Sequence, residues 1–160
     1  MKKRQTGLAA AVMLCILTIT GMLLSLTLGR RQVRQEFAPP PFDPLACPGL
    51  PAIPEGLGWQ MLDAKVYHAG ICGVITPQGN TVDVWLTNPK ENPVWLKVRL
   101  LDANNGILGE SGLIKPGEYV RSVALCSTPE PGTPIILKIM AYEPETYHSA
   151  GAVSLSTKMK

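Results

Sequence analysis

Histidine is nearly absent from this chain, which has two in 160 residues, His68 and His148, and four cysteines. A metal centre would have to recruit Asp, Cys or Met from several strands. Cys126 is not followed within a few residues by the His and Met that a cupredoxin-like copper site requires. Neither G-x-S-x-G nor a Cys with an evident His partner occurs, so the usual nucleophile arrangements are missing. Glu143 and Glu145 flank Pro144 and read as a solvated turn rather than an acid and base pair. Ser111, in Glu110–Ser111–Gly112, reads as a turn or strand-end residue. Catalysis, metal binding and a bound cofactor are therefore not expected.

Positive charge is also scarce where nucleic-acid binding would need it. The formal net charge is +3, but Lys2, Lys3, Arg4, Arg30, Arg31 and Arg34 all lie within the first 34 residues. From Phe37 onward nine Lys or Arg face eleven Asp or Glu, a net of −2. That balance leaves no basic surplus for a phosphate backbone.

One long hydrophobic run is present, and no second stretch approaches its length. Residues 7–28 contain no charge; as a helix they would extend about 33 Å, enough to cross a hydrocarbon core of about 30 Å. The basic residues on both sides suit anionic headgroups. A cleaved secretory signal is the competing reading, but its apolar region is usually shorter and ends at small residues; here Leu28, Gly29, Arg30 and Arg31 follow. Val12, Met13 and Leu14 before Cys15 do not suit a lipidation site. An uncleaved anchor is expected, with the lipid bilayer contacting residues 7–28. The positive-inside rule does not orient it, because three basic residues lie on each side. The short tail 1–6 and the cysteines beyond the anchor favour an extracytoplasmic C-terminal domain in the cell membrane.

Residues 29–54 form a basic and then proline-rich linker, with seven prolines between 36 and 54. Such a segment cannot be helical. It is either a disordered tether or a strap packed on the domain through Phe37, Phe42 and Leu45. Residues 56–68 have Leu57, Met61 and Ala64 at near-helical spacing, yet Val66 and Tyr67 suit a strand, and both alternatives stay open.

Beyond this the hydrophobic period becomes two. Val82, Val84 and Leu86 alternate with Thr81, Asp83 and Trp85. Leu96, Val98 and Leu100 alternate with Trp95, Lys97 and Arg99. Similar runs occupy 70–76, 119–125, 134–142 and 150–159, with a hairpin signal at Asn104, Asn105 and Gly106. About seven strands are expected, at the spacing of an immunoglobulin-like or fibronectin-like antiparallel β-sandwich over residues 55–160.

Outside the anchor, Cys47, Cys72 and Cys126 allow one disulfide and one free thiol. Cys72 could pair with Cys126, or Cys126 with Cys47, or all could be buried and reduced. Trp85 and Trp95 fall opposite the aliphatic stripes of their strands. With Tyr142 they are the candidate contact residues, unless strap and sheets cover both faces.

The segments 112–119 (GLIKPGEY) and 141–146 (AYEPET), with Phe42, Asp43, Pro44, Leu45 and Ala46 as an F-x-P-x-A stretch, carry a resemblance. The chain resembles a family of small single-span membrane proteins of Gram-positive Firmicutes, many linked to conjugative or other mobile elements. The resemblance runs from about Phe42 to the end. The family's pattern implies a short helix after the F-x-P-x-A stretch, then a sandwich, and no catalytic residues. This chain departs from it at 56–68 and in its cysteines. The function expected is a non-enzymatic domain contacting another envelope protein, as an accessory of a conjugation or secretion system. The alternative is a cell-wall glycan module in which Trp85, Trp95 and Tyr142 stack on sugars.

Overall fold

Strict alternation makes half-buried strands, and where two such strands share an apolar face they pack into layers. The computed structural model describes residues 37–160, whose compact unit runs from Pro39 to Lys160. All regular structure in it is β: β1 (Cys47–Pro48), β2 (Trp59–Asp63), β3 (His68–Cys72), β4 (Pro77–Gln78), β5 (Thr81–Asn88), β6 (Trp95–Leu101), β7 (Ile107–Glu110), β8 (Glu118–Ala124), β9 (Pro134–Tyr142) and β10 (Ser149–Lys158). Among these residues no helix is long and apolar enough to cross a membrane. The expected anchor at 7–28 lies outside the described residues.

The strands form two antiparallel sheets. One has the order β1-β8-β5-β3-β2, with β4 also on β5; the other runs β10-β9-β6-β7. Val82, Val84 and Leu86 of β5 share a core with Leu96, Val98 and Leu100 of β6 and with Ile135, Leu137 and Ile139 of β9. The apolar residues of each alternation are thus the inward ones.

The described residues hold more than the seven expected strands: 47–48 and 77–78 are two-residue pairings, and 59–63 is a strand where the sequence left helix and strand open. Residues 56–68 resolve in favour of a strand: Trp59 pairs with Cys72 and Asp63 with His68 across a hairpin. No short helix stands there. A local helix would leave Trp59 and Leu62 without the β3 edge they cover. The strand expected at 70–76 ends at Cys72, since Gly73 and Val74 turn their N–H groups to the carbonyls of Gly58 and Leu57.

Trp85 breaks the simple alternation. Between Asp83 and Leu86 the pairing with β8 slips by one residue, and Trp85 takes φ +49. A left-handed backbone at a bulky residue costs roughly 1–2 kcal/mol, and a bulge is where that cost is met.

Candidate functional site

The linker is a strap from Pro41 onward. Phe42 bridges to Leu113, Asp43 N–H donates to the Leu113 carbonyl at 2.9 Å, and Leu113 N–H donates to the Pro41 carbonyl at 2.9 Å. The Asp43 carboxylate accepts the Gly112 N–H at 2.8 Å. A side chain at position 112 would not fit, because a Cβ there would lie 2.4 Å from the Asp43 nitrogen. Of the three residues expected to hold the strap, Phe42 does so against Trp95, with ring centroids 4.8 Å apart. Leu45 is exposed instead, at 66%.

Trp95 and Tyr142 are brought together as register partners on β6 and β9. Trp95 also meets Tyr147 edge to face at 5.2 Å, and Lys115 lies 4.8 Å over Phe42. The strap and the segment after β9 therefore meet at Trp95, and the turn before β8 meets the strap at Phe42. Trp85 belongs to the other sheet and is 7% exposed, the covered alternative that the alternation left open. It stacks on Tyr119 at 6.1 Å beneath the Arg121 guanidinium, and its Nε1 is buried without an acceptor among the described residues. Trp85, Trp95 and Tyr142 thus form no common platform for stacking on a glycan.

Of the alternatives left open, the structure has neither disulfide: Cys47, Cys72 and Cys126 are free thiols. Topology explains this. Cys47 pairs with Tyr119 and Cys126 lies beyond the other end of β8, roughly 20 Å along the strand. Cys72 is two strand spacings from β8, about 10 Å, beyond the reach of a bridge. Burial, helped by the Asp83 charge, pushes the Cys72 thiol up to about 11, so it is a poor nucleophile. Each histidine sits beside a nearby carboxylate, His68 Nδ1 at 2.7 Å from Asp63 and His148 Nδ1 at 3.9 Å from Glu143. Among the described residues no three metal-ligating side chains converge.

A concave surface among the described residues involves positions that were not singled out from the sequence. A groove of about 600 Å3 lies beneath the strap. Leu50, Pro51 and Ile53 form one wall, Trp59 and Met61 of β2 the other, and residues 87–91 with Gly117 close the end. Leu50 is 89% exposed, Trp59 41% and Met61 43%. Trp59 lies over Gly70, where a Cβ would meet its ring at 2.5 Å. The strap is tied in place by the Gly49 N–H to the Gly117 carbonyl at 2.8 Å. The 59/61 alternation was the available signal, obscured because residues 56–68 suited helix and strand alike.

Two buried asparagines hold the end wall. Asn88 Nδ2 donates to the carbonyls of Val94 and Ile114, while Asn92 donates to the His68 carbonyl and accepts the His68 N–H. The wall is therefore fixed before anything binds.

The groove also adjoins an open sheet edge. Gly73 N–H bonds the Gly58 carbonyl and Ala64 N–H the Tyr67 carbonyl, so even-numbered residues of this hairpin face β3. The N–H and C=O groups of Trp59, Met61 and Asp63 consequently point away from the sheet.

On the opposite sheet, Glu110 accepts from Lys97 and from Arg99, each at 2.8 Å. Burial opposes its ionisation, but the hydrogen bonds and charges of Lys97 and Arg99 outweigh it and hold the carboxyl below its ordinary value.

No family model matches the chain. No curated protein matches it either.

Proposed function

We propose that this chain is a membrane-anchored, non-enzymatic binding domain whose groove takes an extended apolar segment of another envelope protein. The observation that carries the reading is the coincidence of apolar groove and open edge at Trp59–Asp63. A peptide laid along β2 would find main-chain partners at Trp59 and Met61 and a pocket for alternate side chains. The uncharged run at 7–28 supports anchoring, and the basic residues around it support placement at anionic headgroups. The domain would then stand on the extracytoplasmic side. The strand orders β8-β5-β3 and β7-β6-β9-β10 support an immunoglobulin-like or fibronectin-like sandwich.

A photo-crosslinking residue at Met61 of the full chain, in its native membrane, tests the reading. The expected result is one adduct whose mapped site is an extended apolar segment of a second protein, lost when Gly70→Val displaces Trp59. The same adduct from a crosslinker at Ser127, outside the groove, would overturn it.

A further inference from the structure

The geometry points to a second copy of this chain as the partner of β10, joined edge to edge across a two-fold axis at Ser154. β10 is the longest described strand and lies at the edge of its sheet. Edges are ordinarily guarded by shortness, proline or charge. β1 has two residues, one of them Pro48, and β7 has four, ending at Glu110. β10 has no charge from Ser149 to Thr157 and no proline.

Its open groups can be assigned. Met159 donates to the Thr133 carbonyl and accepts from Gly132, so odd-numbered residues turn their backbone toward β9. Ala152, Ser154 and Ser156 therefore direct N–H and C=O outward. Beyond them the Ile75–Met159 bridge closes the edge, with Lys160 N–H on the Ile75 carbonyl at 2.8 Å.

Three features select a second copy. Antiparallel pairing centred on Ser154 sets Ala152 opposite Ser156, so six N–H···O bonds can form between small side chains, by the alternation of antiparallel pairs. The same register sets Val153 opposite Leu155 of the second copy. Both are only half-buried, and a cleft of about 370 Å3 lined by Tyr67, Ala150 and Val153 lies beside them. Finally, β10 carries its one charge, Lys158, at one end and follows the turn with the exposed Glu143 and Glu145 at the other, so antiparallel pairing brings the Lys158 end of each copy toward the acidic turn of the other. The charged ends are complementary, and the contact is isologous. Anchoring in one membrane would raise the local concentration of copies, but the pairing does not depend on it.

Disulfide trapping in the full chain tests this. In a C15A/C47S/C126S background, Ser154→Cys would place two thiols on a hydrogen-bonded pair with Cα atoms about 5.5 Å apart, within disulfide range. The expected result is a disulfide dimer formed at least tenfold faster than from Ser127→Cys. Ala152→Cys and Ser156→Cys should trap when mixed and not alone. Ser154→Lys, at an exposed position, should lower the dimer fraction at least tenfold with an unchanged circular dichroism spectrum. Trapping no faster than Ser127→Cys, trapping only to a protein of another mass, or a dimer indifferent to Ser154→Lys would overturn the proposal. Fractionation of the same sample reports the anchor separately: a soluble chain that still bridges at Ser154 refutes anchoring and supports the pairing.

Discussion

Asn92 Nδ2 donates to Asn88 Oδ1 at 2.6 Å, joining two buried amides whose remaining bonds all go to backbone. The pair ties the β5–β6 turn to the start of β3 and so fixes the end of the groove. Asn88→Ala takes the side-chain partner from the Val94 carbonyl and from one Asn92 N–H, and should cost about 2–3 kcal/mol. Urea denaturation gives this directly, and a loss under 0.5 kcal/mol would contradict the role.

Gly112 is the position where the strap backbone comes closest. Gly112→Ala forces Asp43 outward and should destabilise by about 1–3 kcal/mol, as overpacking does. Hydrogen exchange at the Asp43 and Leu113 amides should accelerate while core amides of β5 stay protected. Equal acceleration everywhere would mean the strap is not a local unit.

The Glu110 carboxyl is held below its ordinary value by Lys97 and Arg99, after overcoming burial. A depressed folded value contributes stability that is present above the unfolded value, about 4.3, and lost as pH falls through the folded one. Glu110→Gln should be less stable at pH 7, and the gap should narrow as pH falls below the unfolded value. Parallel curves across that window would sink the assignment.

Cys72, buried and raised to about 11, should resist alkylation in the native state, while Cys47 and Cys126 react. Its protonated form is the one the fold favours. That contribution is complete below the unfolded value, about 8.5, and is lost as pH rises toward the folded one. Mass mapping after brief iodoacetamide treatment checks the first point, and equal labelling of all three would refute it.

Met61→Asp places a charge on the exposed wall of the groove. Stability should change by less than about 0.5 kcal/mol, as for other exposed positions, while the Trp59 emission maximum shifts. A large loss of stability would show that the wall is packed.

The alternation of Val82, Val84 and Leu86 and of Leu96, Val98 and Leu100 foretold which residues line the core, because period two in a strand leaves one choice of face. The turn at Asn104–Gly106 was legible for a similar local reason. Whether Trp85 is covered was not legible, because Tyr119 and Arg121, which pack on it, come from another strand, and nothing local announces the bulge beside it. The groove stayed hidden because residues 56–68 suited helix and strand alike, and because residues 87–91 and Gly117, which also line it, are remote in sequence.

Local pattern and composition thus determined the class of fold, the inward residues and the absence of a basic surplus, since each depends on neighbours along the chain. Tertiary structure alone decided that the strap lies on Gly112, that Trp85 is buried, that the cysteines stand too far apart to bridge, and that β2 and β10 are left with open edges. Each of these is a distance between segments remote in sequence, set by packing rather than by the pattern of either segment.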